Sequence, residues 1–265
     1  MSEYDFHFEI DDDRVAVLTL DRPDTLNSLT FEVYGQLEQL FLDLQTDDRV
    51  RAVVLTGKGK GFCSGGSVDE IIGPLLERDL AGTLAFTRMT GAVVRNMLRL
   101  EKPVIAAVNG VAAGAGSVLA LASDLRVMSA HAKFAFLFTK VGLTGADMGA
   151  AWLLPKVIGT GRAMEHLTLG DKIPADECLR IGLANRVVPH EQVLEEAMGL
   201  ARRLARGPGL AIGMTKKMIW NEWPMDLDAA IEQEAQAQAL LLRAGDHRAF
   251  YDAWNEGRAP EFEGR

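Results

Sequence analysis

Residues 102–124, KPVIAAVNGVAAGAGSVLALASD, restrict the fold more than any other stretch. The run carries almost no charge inside it and spaces Gly110, Gly114 and Gly116 through its middle. A membrane span needs about 20 consecutive apolar residues, and here Asn109 and the glycine cluster interrupt the run. A buried strand, VIAAV, a glycine turn and an apolar helix account for it better. Both strand and helix then belong to a soluble core.

The same design occurs upstream, where AVVLTG (52–57) runs into KGKGFCSGGSVDEI. Around these two units the pattern alternates strands and helices. RVAVLTLDRP (14–23) reads as a strand ending in a turn at Arg22-Pro23. TFEVYGQLEQLFLDL (30–44) places Val33, Leu37, Leu40, Phe41 and Leu44 at helical spacing, with Thr30 as N-cap. Residues 68–100 read as helical with a break near Gly73-Pro74, and DLRVMS (124–129) as a strand. From Gly149 helices dominate, apart from the short strand RVVP. The tail from Asp226 to Glu256 is helical with a break near Gly245-Asp246, and its Ala/Gln-rich surface suits packing against another subunit. Strand–helix alternation in the first half predicts an α/β chain with βα crossovers and parallel strands.

Composition excludes several classes. A length of 265 residues at 48% hydrophobic composition is enough for one substantial core. The net charge of −9, spread along the chain, argues against nucleic-acid binding, which needs a basic face. Cys63 and Cys178 stand in unrelated contexts, which fits a reducing compartment. The acidic opening MSEYDFHFEIDDD has no apolar core of a secretion signal. A cytoplasmic protein is expected. No His, Cys, Asp and Glu set has metal-ligand spacing, so no metal is expected.

The glycine turns suggest a phosphate loop first, but the pattern fails. Leu119 stands where a dinucleotide fingerprint needs its third glycine, and neither turn ends in Gly-Lys-Ser/Thr. Backbone chemistry is the alternative. A turn that opens a helix exposes N–H groups without intrahelical partners, at the positive end of the macrodipole. Two such turns at neighbouring strand ends can aim two donors at one oxygen, which is the design of an oxyanion hole.

The segments AVVLTGKGKGFCSGGSVDEI, KPVIAAVNGVAAGAGSVLALASDLRVMSAHAKF and VGLTGADMGAAWLLPKVIGTGRAMEHLTLGDKIPADECLRIGLANRVVP resemble, in order and spacing, the enoyl-CoA hydratase/isomerase (crotonase) superfamily. The resemblance runs from about Val15 to Pro189. It implies a spiral of ββα units over residues 1–195, a helical trimer-forming segment over 196–265, and an acyl-CoA thioester as substrate. No cofactor is implied beyond the coenzyme A carried by that substrate. A homotrimer or a dimer of trimers is implied as well. Carried over by position, the oxyanion N–H groups belong to Gly66 and Ala115; the family usually has glycine at the latter place. Arg22, Ser64, Gly65 and Lys216 fall where the family contacts coenzyme A, with Lys58, Lys60 and Lys217 as further phosphate candidates. Ser67 replaces an aspartate common in that turn.

The hydratases of this family use two glutamates, one to orient water and one to protonate carbon. Those positions fall here on Val118 and close to Phe138, and neither side chain can carry a proton. One carboxylate remains in a suggestive place: Asp147, in GLTGADMGAAW. Dienoyl-CoA isomerases, ring-type epoxyacyl-CoA isomerases and 4-chlorobenzoyl-CoA dehalogenase use an acid from the equivalent loop. As a residue just before a helix, Asp147 is equally a candidate N-cap. Catalysis of isomerisation or hydration through an enolate, with Asp147 as sole acid/base, is the first expectation. Hydrolysis or dehalogenation by Asp147 attack, and a non-catalytic acyl-CoA-binding member, are the alternatives. Phe86, Met89, Met97 and Leu98 have helical spacing suited to core packing or to a pocket wall. The five histidines (7, 131, 166, 190, 247) receive no catalytic role.

Overall fold

The computed structural model describes residues 4–264; Met1–Glu3, where the opening judged to lack a secretion signal begins, and Arg265 lie outside the described residues. In chain order the first half contains β1 (His7–Ile10), β2 (Val15–Leu20), α1 (Phe31–Asp43), β3 (Ala52–Gly57), β4 (Gly61–Cys63), α2 (Gly73–Leu76), α3 (Leu80–Arg99), β5 (Val104–Val108), β6 (Val111–Ala113), α4 (Ala115–Ala122), β7 (Leu125–Ser129) and β8 (Lys133–Ala135). The second half contains α5 (Ala150–Ile158), α6 (Thr160–Leu169), β9 (Lys172–Pro174), α7 (Ala175–Arg180), β10 (Arg186–Val188), α8 (Val193–Ala205), α9 (Gly209–Asn221), α10 (Leu227–Leu241) and α11 (Gly245–Glu256).

Two sheets share the strands. The larger has the order β1-β2-β3-β5-β7-β10, parallel throughout except for the β1–β2 edge pair. The smaller has the order β4-β6-β8-β9, with β4, β6 and β8 parallel. Each of β3, β5 and β7 leaves the first sheet and continues at once into β4, β6 and β8 of the second. This repeated hand-over is the ββα spiral. The second sheet is invisible to periodicity because its strands are three residues long. β3 and β5 are buried along their whole length, which is why AVVLT and VIAAV carry no alternation.

The main core fills the space around α1, α3 and α4, with Leu37, Phe41, Met97 and Val118 fully enclosed. A second core covers the other face of the large sheet. There Val193, Ala197, Ala201 and Ala205 of α8 lie against Val15, Val54, Ile105 and Val127. The i, i+4 alanine stripe lets the helix lie close to the strands. The boundary expected at residue 195 falls inside α8.

Thr30 caps α1 as expected, accepting the Val33 N–H at 3.3 Å. The helical break is displaced from Gly73-Pro74 to residues 77–79. Pro74 sits at the start of α2, where no intrahelical N–H bond is lost, and Asp79 starts α3 anew by accepting from Gly82 N. The tail divides at residues 242–244 into α10 and α11. Among the described residues no helix is long and apolar enough to cross a membrane.

Candidate active site at the two glycine turns

The two turns are neighbours because their strands are. β3 pairs with β5 in one sheet and β4 with β6 in the other, so the segments leaving Cys63 and Ala113 run side by side. Glycine permits their contact. A Cβ built on Gly116 would lie 2.2 Å from the Cys63 carbonyl oxygen. At Gly65, φ is +100°, and a Cβ there would stand 3.4 Å from Ala115 N.

The hydrogen bonds around the turns leave two amides over. Leu29 forms a parallel bridge with Gly66: Leu29 N–H donates to Gly65 O at 2.8 Å, and Ser67 N–H donates to Leu29 O at 2.9 Å. In a parallel bridge the central residue turns its own N–H away from the partner strand. Gly66 N–H therefore faces away from Leu29, and no described main-chain carbonyl accepts it. Ala115 is the first residue of α4, where Ser117 N and Val118 N both donate to Gly114 O. Its own N–H is one of the orphan donors of a helix start.

The loop before α5 carries Asp147. Met148 and Gly149 are both left-handed, with φ of +49° and +91°. A non-glycine residue in that region stores about 1–3 kcal/mol of strain, and here it reverses the chain just before the helix. Asp147 does not cap α5. Gly149 holds the N-cap position without a side-chain bond, and the Asp147 carboxylate accepts only the Met148 N–H, at 2.9 Å. Burial pushes the Asp147 carboxyl above its ordinary value, partly offset by that N–H. Val118 is fully buried and Phe138 nearly so.

A residue that sequence reasoning passed over lies beside the first turn. Tyr34 of α1 is 3% exposed, and burial, with Cys63 and Asp147 nearby, pushes its phenol well above the ordinary value. Its spacing in α1 reads as core, so the sequence holds no signal for it. Asn27 was also missed. Buried at φ +59°, it donates from Nδ2 to Lys58 O and Gly61 O and accepts Arg22 N–H, tying the first turn to residues 22–28. An asparagine where a turn needs a left-handed residue is its only signature.

Of the expected coenzyme A contacts, Arg22, Ser64 and Gly65 come together at one edge of the first turn. Ser64 Oγ donates to Thr25 O at 2.9 Å, and Arg22 pairs with Glu70 and donates to Ser28 O. Lys58 pairs with Asp21. Lys216 is a correction. Its ammonium group is buried, 2.8 Å from Asp124, and donates to Met97 O and Lys102 O. It fastens α9 to the body of the fold and offers nothing to a phosphate. Lys217 faces solvent and pairs with Glu101.

A cavity of about 740 Å³ lies between α3, α5 and α9, with Val94, Leu98, Met148, Trp152 and Trp220 among its walls. Gly66 and Ala115 do not line it; it meets the site only through Met148 and Gly149. Among the described residues no group of three or more His, Cys, Asp or Glu side chains could hold a metal ion.

A spiral of ββα units that sets two glycine turns against each other defines a crotonase-type fold. The chain belongs to the enoyl-CoA hydratase/isomerase family, whose model matches residues 11–265, and it is an enzyme of that family. It is 38% identical over 252 residues to 1,2-epoxyphenylacetyl-CoA isomerase of Escherichia coli (strain K12), covering 95% of both chains. It is 34% identical over 251 residues to (E)-benzylidenesuccinyl-CoA hydratase of Thauera aromatica, covering 94% of this chain and 96% of the relative. A crystal structure from Streptomyces coelicolor A3(2), whose name places it among the enoyl-CoA hydratases, superposes with a TM-score of 0.97 at 52% identity. That match covers 100% of this chain and 96% of the other.

Proposed function

We propose that the protein rearranges or hydrates an acyl-CoA thioester through an enolate held by the Gly66 and Ala115 N–H groups, with Asp147 as the single acid/base. The observation that carries this reading is the contact between the two turns, which brings Gly65 against Ala115 N while both amides lack main-chain acceptors. In the proposed reaction the Asp147 carboxylate takes a proton from an α- or γ-carbon. The C–H electrons form a new C=C bond, and the thioester oxygen takes the charge between the two amides. The proton then returns from Asp147 to another carbon, which leaves the mass unchanged; with a bound water the same group supports hydration. Each amide donor in such a hole typically contributes about 10²–10³ in rate.

A ring-bearing acyl group comes first, because two relatives act by name on 1,2-epoxyphenylacetyl and (E)-benzylidenesuccinyl thioesters. Arg22, Ser64 and Gly65 form the coenzyme A side. Helices α9 to α11 carry the trimer contact: Ile219, Leu227, Leu240 and Trp254 are all more than half exposed. Buried, unpaired Cys63 and Cys178 fit a cytoplasmic setting. The experiment is a panel of straight-chain, dienoyl and aromatic acyl-CoA thioesters followed by mass and by double-bond absorbance. Unchanged mass or gain of water supports the reading. Release of coenzyme A, or binding with no turnover of any thioester, overturns it.

A further inference from the structure

Tyr34 is a buried polar group beside the first glycine turn that the proposed reaction leaves unused. It sits in the second turn of α1, directly after the segment whose Leu29 is bridged to Gly66. Its ring is fixed edge-on against Phe86, with centroids 5.6 Å apart at 87°, and Phe86 is held in turn by Phe31 at 5.0 Å. The side chain cannot swing out to solvent. Yet its hydroxyl forms no hydrogen bond with any described residue, although the residue is only 3% exposed. Nor is the oxygen sealed in: the described side-chain atoms buried without a partner are Asn109 Oδ1, Thr139 Oγ1 and Glu222 Oε1. A buried hydroxyl normally has a partner, so one that is open but unpaired awaits a ligand atom.

We propose that the Tyr34 hydroxyl donates a hydrogen bond to an oxygen on the acyl chain, and that it selects oxygen-bearing acyl-CoA thioesters over oxygen-free analogues of the same size. This rests on the reading of Asp147 and the two amides as an acyl-CoA site. Burial, with Cys63 and Asp147 nearby, keeps the phenol protonated and therefore a donor. Asp147, an acceptor when ionised, lies within electrostatic reach of Tyr34, a donor, so one oxygen between them would meet both. An oxygen there, such as the hydroxyl formed when water adds to a double bond, satisfies both. The thioester oxygen remains with the amides of Gly66 and Ala115.

The test compares dissociation constants of matched probes: 3-hydroxybutanoyl-CoA against butanoyl-CoA, and 3-hydroxy-3-phenylpropanoyl-CoA against 3-phenylpropanoyl-CoA. They are measured by calorimetry in the Asp147→Asn background, with and without Tyr34→Phe, so that nothing turns over. With Tyr34 present the hydroxylated probe of at least one pair binds more tightly; Tyr34→Phe lowers that preference by about three- to tenfold, the span of one net neutral hydrogen bond. A preference absent at the start or unaltered by Tyr34→Phe overturns the proposal. A merely structural tyrosine would weaken both members of a pair equally and lower the melting temperature. Failure of all four probes to bind overturns the acyl-CoA reading, and this proposal with it. Turnover that survives in Asp147→Asn overturns the acid/base assignment alone and leaves the binding ratio to judge Tyr34.

Discussion

Gly116→Ala probes the central geometry most directly, because no side-chain deletion can remove a main-chain amide. The added methyl would stand 2.2 Å from Cys63 O and 2.6 Å from Cys63 Cβ. Neither atom is the tip of a flexible side chain. α4 or β4 must therefore retreat, and a displacement of about 1 Å at reacting atoms costs on the order of 100-fold in rate. Residue 116 follows the Ala115 donor and Cys63 precedes the Gly66 turn, so the retreat opens the gap between the two amides. Packing strain adds about 1–3 kcal/mol of destabilisation. The assay is steady-state turnover of the best thioester from the panel, beside urea denaturation. We expect kcat to fall about 100-fold while the affinity for free coenzyme A changes little. Gly199→Ala is the control: in α8, with nothing within 4 Å of its Cβ, it keeps its turnover. It also gains about 0.5–1 kcal/mol of stability. A folded Gly116→Ala enzyme with wild-type kcat refutes the claim that the touching turns hold the two donors in register.

Asp147→Asn is expected to lower kcat by about two orders of magnitude or more, measured on the same thioester. The pH profile of kcat/KM shows an acid limb above the ordinary carboxylate value of 3.8, because burial raises the pKa and the base must be ionised. The stability effect has the opposite sign. The folded state holds this proton where the unfolded state has released it, so Asp147 loses stability as pH rises from 3.8 through its raised folded pKa. Asp147→Asn is therefore more stable than wild type at neutral pH and less so at pH 3, by denaturation at both values. Lys216→Met leaves Asp124 buried without its counter-ion and costs about 3–5 kcal/mol in urea unfolding. Coenzyme A affinity that falls tenfold with stability intact would restore Lys216 as a phosphate contact.

What the sequence discloses follows the range of the forces. VIAAV and AVVLT are legible as buried strands because both faces are covered, so the local run alone carries the signal. GFC, VAA and KFA are not, since three residues cannot express a period and their pairing depends on where the longer strands release them. Lys216 misleads for a related reason: its partner Asp124 is remote in the chain, and a lysine on a helix looks solvated until that carboxylate is placed. Asp147 is legible as a position but ambiguous as a group. The left-handed pair Met148 and Gly149 takes the capping role from it and leaves the carboxylate half-buried with the Met148 N–H as its partner. Tyr34 is hidden by its helical spacing, which is what any core aromatic shows.

Ala115 shows how the backbone shares this work. At a position where the resembling family usually has glycine, a methyl group would be costly if the residue had to take a left-handed turn. Here Gly114 takes that burden, with φ of +51°, and residue 115 is already the first residue of α4. Alanine in a helix is favoured over glycine by about 1 kcal/mol, so the substitution steadies the helix start and keeps the N–H. Gly116 next to it cannot be exchanged in the same way, because its missing side chain is the space occupied by Cys63. Of three adjacent small residues, one turns the chain, one presents the amide and one lets the neighbouring strand approach. In the proposed oxyanion hole the donor geometry thus depends on the division among them rather than on glycine at every place.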